Sequence, residues 1–419
     1  MKKKILILAL LLSVVVRVHS ADIISLEGYL KNFFILFMPP DYSQGSLTLK
    51  NVDIGAVNNR LRLKLGFRPS NWLSFYLDYD LSPRIQDPAL FRENAIFGGF
   101  TPLEYRFNDF KARLYPGEHE PVSSFGLFHN LDRFFVSITL PFADVYLGRQ
   151  AVAWGSARVI NPTDVISPFA FNELDREERR GVDAIRVRIP LGMMDELDVG
   201  FVAGRDFRWD KNALFLRGKF YVLKTDISFL FIDFRRHLLL GFDLARSIGD
   251  AGFWLEAGYV IPEFFKEDKN PDEENYFRLS VGMDYNLTSR MYGFVEYHFN
   301  SAGEKKPELY LSLFTTSPYR DGSVYLMGKN YLNAAATYQV TGLISATALF
   351  IINLSDRSLI FSPLLEYNIA ENIYLGAGAY IGTGKNPELI PGPWDPGLKL
   401  KSEFGTYHDI FFTSFRIYF

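Results

Sequence analysis

The sequence predicts an all-β chain, a transmembrane antiparallel β-barrel of about 18 strands, and three observations carry that expectation. Apolar and charged residues alternate along one segment after another. Only 22% of the residues are charged while 16% are aromatic, with 39 Phe and 23 Tyr, so many rings need an apolar surrounding to face. Short turns and long interruptions separate the segments, the asymmetry of the two rims of an outer-membrane barrel.

At the N-terminus, Met1-Lys2-Lys3-Lys4 precedes an apolar run from Ile5 to Val16, and Val18-His19-Ser20-Ala21 ends in small residues. This is the order of an export signal, with cleavage expected after Ser20; the run is too short to cross ~30 Å of hydrocarbon comfortably. The expected organisation is a signal peptide over 1–20 and one barrel domain over 21–419, since no repeat, low-complexity block or linker divides the chain. The longest later charge-free stretch, Tyr331 to Ser355, is broken by Asn333, Thr337, Gln339, Thr341, Ser345, Thr347 and Asn353. A spanning strand needs only ~9–11 residues with half its side chains polar, and leaves no hydropathy peak.

The alternation is clearest in 60–68, where Leu61, Leu63, Leu65 and Phe67 oppose Arg60, Arg62, Lys64 and Arg68. A barrel puts the first set in lipid and the second in a wet lumen. The pattern returns with Leu73, Phe75, Leu77 and Tyr79 against Ser74, Tyr76, Asp78 and Asp80, then with Ile185, Val187 and Ile189 against Arg186 and Arg188. It continues with Leu214, Leu216, Phe220 and Val222 against Arg217 and Lys219, and with Met291, Val295, Tyr297 and Phe299 against Glu296 and His298. Short turns are expected at Pro69-Ser70, Pro141-Phe142, Pro190 to Met194, Leu287 to Ser289 and Ala370 to Asn372. Long interruptions fall near 82–104, 151–180, 261–274, 301–323 and 382–405, and this set is expected to face outside. A literal reading gives about 19 strands, but a bacterial barrel with both termini on one side needs an even number. One segment, within 46–57 or 105–130, is therefore miscounted; about 18 is the choice and about 16 the next.

In the last strand Phe419, Ile417, Phe415, Thr413 and Phe411 share one face without charge, and Arg416 lies on the other. A final strand ending in Phe resembles the signal read by the barrel-assembly machinery of bacterial outer membranes, so Phe415, Ile417 and Phe419 are the expected assembly signal. That machinery and outer-membrane lipid are then expected partners, and the bacterial outer membrane the expected location.

The most distinctive local sequence runs from Gly148 to Phe169. It holds Gly148-Arg149-Gln150, Trp154-Gly155, Asn161-Pro162-Thr163-Asp164 and Ser167-Pro168, beginning at a strand end and carrying turn-forming pairs. A dense charge cluster follows, with Glu173, Asp175, Arg176, Glu177, Glu178, Arg179 and Arg180. This stretch resembles porin-like outer-membrane barrels, loosely those of alginate-export type. The resemblance implies a loop at about 151–180 folded against or into the lumen, with Gln150, Trp154, Gly155, Asn161, Pro162, Ser167 and Pro168 shaping it. Arg149, Arg158, Arg186 and Arg188 opposing Asp164, Glu173 and Asp175 are the candidate constriction, a transverse field able to orient polar solutes.

Other chemistry is scarce. Cysteine is absent, which excludes thiolate sites and cysteine-attached haem, and a net charge of −3 gives no sign of a nucleic-acid partner. None of His119, His129, His237, His298 and His408 sits in a nucleophile elbow, and Glu296 beside His298 reads as lumen wall, so no enzyme and no cofactor are expected. His119 with Glu118 and Glu120, or Asp268, Asp272, Glu273 and Glu274, could hold a cation loosely at a loop, but the spacing matches no EF-hand and acidic loops are more often solvated faces. Tyr76, Tyr146, Trp254, Tyr292 and Phe294 fall on inward faces. The expected function is a channel passing small polar or ionic solutes. The alternatives are a sheath around a multihaem cytochrome partner that conducts electrons, and a non-conducting barrel whose loops bind partners.

Overall fold

The computed structural model describes residues 23–419 apart from 45–46, 88–104, 111, 118, 121–123, 169–173, 176, 272 and 391–396. The expected signal segment and Glu173 lie outside the described residues. The first strands are β1 (Ile24–Met38), β2 (Ile54–Ser70), β3 (Leu73–Gln86), β4 (Phe125–Leu140), β5 (Ala143–Gln150) and β6 (Val182–Pro190). There follow β7 (Glu196–Ala203), β8 (Ala213–Val222), β9 (Thr225–Phe234), β10 (His237–Ile248), β11 (Ala251–Ile261) and β12 (Tyr276–Thr288). The last are β13 (Met291–Asn300), β14 (Asn330–Gln339), β15 (Ile344–Asn353), β16 (Ser358–Ala370), β17 (Ile373–Thr383) and β18 (Asp409–Tyr418). Each pairs antiparallel with its neighbours in sequence, and β1 pairs with both β2 and β18, so 18 strands close a ring.

The extra strand of the literal sequence count is the three-residue piece Arg113–Tyr115, which pairs with β4 but does not span. The other doubtful segment also resolves. Residues 47–49 pair with 42–44 in a small second sheet with 388–390 and 397–399, and the spanning strand begins at Ile54.

Alternation works as the polarity pattern requires. Leu63, Leu65 and Phe67 are exposed on the outside, while Arg62 and Lys31 point inward and are fully buried. Connections at 71–72, 141–142, 191–195, 223–224, 249–250, 289–290, 340–343 and 371–372 form one short rim. The other rim carries 39–53, 87–124, 151–181, 204–212, 262–275, 301–329 and 384–408, with tight connections at 235–236 and 354–357. Two of the tight hairpins are made by Leu223-Lys224 and Arg235-Arg236, all with positive φ between 49° and 72°. Side chains in this left-handed region are strained, and Asn-Gly would be the easier choice.

The inward face is not polar throughout. Near the long-loop rim Phe215, Leu230, Ile232, Phe234, Leu239 and Val260 are buried inside the ring. They pack with Tyr310, Leu313, Val324, Met327 and Leu400 from the loops, because 301–329 and 384–408 fold down and bring their own apolar side chains into that end.

One interval of the wall departs from a plain ladder. β5 is 8 residues long beside the 16 of β4, because after Gln150 the chain leaves the wall. Residues 105–110 and 112–115 occupy the vacated place: His129 N donates to Ala112 O, and Asp183 N to Tyr105 O. Between these pieces the Arg149 guanidinium donates to Leu131 O at 2.9 Å, Asn108 O at 2.8 Å, Asp109 at 2.8 Å and Asp183 at 2.7 Å. Side-chain bonds thus replace missing ladder bonds, as buried backbone carbonyls require partners.

Candidate functional site

Residues 151–181 leave the wall at Gln150 and return to it at Val182, and between them the chain is fastened to the inside of the ring. The contacts advance around the wall in order. Trp154 Nε1 donates to Asp198 of β7 at 3.0 Å, and Ser156 Oγ donates to Asp243 of β10. Glu256 of β11 accepts from Ala157 N at 3.0 Å, Asn161 Nδ2 at 3.1 Å, Thr163 N at 2.9 Å and Thr163 Oγ1 at 2.7 Å. Glu296 of β13 accepts from Arg158 N at 2.6 Å, and from Val159 N and Ile160 N at 3.2 Å each. Trp254 Nε1 and Asn333 Nδ2 complete its shell at 3.0 and 3.3 Å. Two buried carboxylates therefore collect backbone N–H groups that an irregular loop leaves without intrastrand partners, the arrangement in which a charge-assisted bond is strongest. Both carbonyls of the Asn161-Pro162 turn face Arg278 of β12, at 3.5 and 3.4 Å.

The far half of the loop is held elsewhere. Asp175 takes Lys31 Nζ of β1 at 2.7 Å and Arg60 of β2 at 2.9 Å; Glu177 takes Lys31 at 2.7 Å and Tyr418 Oη of β18 at 2.5 Å. Glu178 pairs with Lys64 of β2, and Gly181 N donates to Asp132 of β4 at 2.9 Å. β2 and β11 stand nine strands apart in the ring of 18, so the loop is a strap across the section whose two halves are anchored to opposite walls. Asp164 and Arg179, paired with each other, tie the two halves together, and Ser167 Oγ donates to Arg180 O at 2.9 Å. Burial pushes the Asp164 carboxyl up, against the pull of Arg179. Burial also works against Asp175, but Lys31 and Arg60 outweigh it and hold its carboxyl below the usual range.

The sequence-predicted residues therefore separate into four places. Gln150, Trp154, Gly155, Asn161, Pro162, Asp164, Ser167 and Pro168 lie on or at the root of the strap, with Gly155 at φ 110° where a Cβ would lie 2.5 Å from Glu256 Oε2. Arg158 is half exposed in the lumen, 3.1 Å from Asp284 of β12. Arg186 and Arg188 stay on the wall, paired with Asp198 and Glu196 across β6 and β7. Arg149 has the parity of Leu147 and Ile185, both exposed, and lies in the wall interval bonded to Asp183 and Asp109. The opposition expected between these arginines and the acids of 164–178 is not what the structure holds. Asp175, Glu177 and Glu178 reach cations of β1 and β2, and Asp164 pairs with Arg179 within the strap, while Arg186 and Arg188 pair between β6 and β7, Arg149 with Asp183 and Asp109, and Arg158 with Asp284 of β12.

Sequence reasoning passed over Asp198, Asp243 and Glu256 as anchors. The available signal was their parity: each is an acid on the inward face of a strand, next in line to Arg186, Arg217 or Trp254. His298, fully buried, lies 2.8 Å from Ser280 Oγ, but Ser280 donates its proton to Ile160 O at 2.6 Å. This pair is another strap anchor. Among the described residues no cluster of His, Cys, Asp or Glu has metal-ligand geometry.

No known protein family matches the chain by sequence, and no curated protein does. Solved structures do match in shape. *Acinetobacter baumannii* OccAB2 superposes with a TM-score of 0.52 at 10% identity, covering 94% of this chain and 98% of that one. *Pseudomonas aeruginosa* OpdK, solved with vanillate, gives 0.53 at 9% identity over 94% and 98%, and *Pseudomonas aeruginosa* OccD3 (OpdP) gives 0.52 at 10% over 94% and 91%. At these identities the likeness is one of fold: the chain is built as a closed antiparallel barrel of the shape these bacterial porins have.

Proposed function

We propose that the protein is an outer-membrane channel for small polar or ionic solutes, narrowed by the strap of residues 151–181. The observation that carries this reading is the combination of a closed ring whose outer face is apolar with an inward loop fastened to opposite walls by carboxylates and ammonium groups. An outer apolar band fits a bilayer, and a charged inner wall fits water and passing ions. Below the strap the wall presents Arg217, Lys219, Asp226, Asp284 and Tyr292, with Lys219 paired to Asp226 at 2.9 Å and Tyr292 to Asp284 at 2.9 Å. The solved barrels of like shape support the same reading at the level of fold. Nothing among them supports the alginate-export resemblance.

A sheath around a multihaem cytochrome needs a clear bore, and a strap across the section counts against it. The proposal gives Arg158 the role of the charge that solutes meet at the narrowest passage, since it alone of the predicted arginines projects half exposed from the strap. Deleting 156–174 is expected to raise single-channel conductance in planar bilayers. Unchanged conductance from a folded barrel would remove the strap from the pathway, and no conductance from the intact protein would remove the channel itself.

A further inference from the structure

The interval where β5 leaves the wall has an outer side. There, Phe107, Phe134, Ile185, Phe201, Ala203 and Phe207 surround a concave groove of about 320 Å³, with the Arg149–Asp183 pair at its floor. The parity of the strands fixes which side this is. Ile185 pairs with Phe201 and Leu147, and Ala203 pairs with Asp183, all on the face that carries exposed Phe134, Leu147, Ile185 and Leu214. The groove is therefore continuous with the apolar band outside the barrel and lies near the long-loop rim, where β5 and β7 end and β6 begins.

Its floor asks for no polar ligand. Arg149 spends its donors on Asp183, Asp109, Asn108 O and Leu131 O, and Asp183 also accepts from Phe107 N at 2.9 Å. The walls are rings and aliphatic chains: Phe107 and Phe207 lie 4.2 Å apart between centroids, and Phe201 stacks near Phe207 at 6.4 Å. A regular strand of the outer face is a convex surface on which hydrocarbon slides. Here the irregular segment that takes the place of the upper half of β5 leaves a depression with walls on both sides, and an alkyl chain in it gains contacts that a flat wall does not give.

We propose that this groove is a binding site for one acyl chain of a membrane lipid, taken from the leaflet at the long-loop rim. The proposal rests on the reading of the barrel as membrane-spanning. Ala203 is the residue that keeps the groove open: it is nearly buried, has no side chain beyond Cβ, and has the outward parity of Phe201.

The test uses the full barrel reconstituted in phosphatidylcholine vesicles that contain a diazirine-tailed phosphatidylcholine, with labelled peptides mapped by mass spectrometry after illumination. Labelling is expected to concentrate several-fold on Phe134, Ile185, Phe201 and Phe207 relative to Phe229 and Phe231, exposed positions of the band on β9, two strands beyond β7. Ala203→Phe, which fills the groove, should bring that excess down to the level of the reference positions; Phe134→Ala, which removes one wall, should do the same if the first variant fails to assemble. Even labelling of the wild-type band, or an excess that survives in a folded variant, overturns the site. Absence of labelling at Phe229 and Phe231 as well would instead overturn the membrane-spanning reading.

Discussion

At the residue scale the strap depends on two acids. Glu296 accepts three consecutive backbone N–H groups, from Arg158, Val159 and Ile160, and no other described side chain reaches all three. Replacing it by Ala leaves buried donors without partners, at about 1–3 kcal/mol for each one that water does not reach. Glu296→Ala is therefore expected to keep the barrel, since its strand pairs through backbone, but to let the near half of the strap fluctuate. In planar bilayers this reads as frequent steps between two conductance levels where the wild type holds one; a steady trace identical to wild type would show that Glu256 and Asp243 suffice as anchors.

Among the elements, the clasp formed by loops 301–329 and 384–408 has its own chemistry. Glu403 accepts from Tyr331 Oη at 2.5 Å, Asn353 Nδ2 at 2.7 Å and Met327 N at 2.8 Å, so one carboxyl joins both loops to β14 and β15. Burial pushes it up to about 7, and the neighbouring Asp356 adds to the rise. The sign follows from proton counting: between about 4.5 and 7 the folded clasp holds a proton that the released loop would give up, so raising pH through that window weakens the clasp. Below the window the clasp is at its tightest. Amide hydrogen exchange in 400–407 is expected to quicken on passing from pH 5 to pH 8 by more than the intrinsic pH effect, and Glu403→Gln should remove that excess. An equal excess in the variant would place the titration in another group.

What the sequence made legible divides along the same elements. The strands with regular alternation, such as β2 and β13, and the long-loop positions were readable because period two and turn residues are local signals. The hairpins at Leu223-Lys224 and Arg235-Arg236 were not, since neither dipeptide carries the residues that favour positive φ. The strap was legible as a loop from Asn161-Pro162 and Ser167-Pro168. Its fastenings were not, because Asp175 meets Lys31 across 144 residues of chain, and Glu256 meets Thr163 across 93. The three-residue piece Arg113–Tyr115, within the doubtful stretch 105–130, pairs with β4 where the early departure of β5 leaves that edge open.

For the whole molecule, closure is the decisive event, and Gly28 stands at it. Gly28 exchanges both backbone bonds with Phe419, at 2.8 and 3.0 Å, while its strand pairs on the other side with β2. A Cβ there would lie 2.3 Å from Arg62 O and 2.8 Å from the Phe419 ring. Gly28→Val is expected to prevent the first and last strands from meeting, so that the heat-modifiable folded band on a gel is lost; a normal band would show that the ring closes with shifted register. Phe415, Ile417 and Phe419 share the outward parity at this junction with exposed Phe411, the placement in which we propose that they are read during assembly.

The strap also makes the barrel a mechanical object. A hoop with one spoke is stiff along the spoke and compliant at right angles to it, and here the spoke runs from β1 and β2 to β11 and β13. Lateral squeezing by the surrounding bilayer would flatten such a hoop in one direction only.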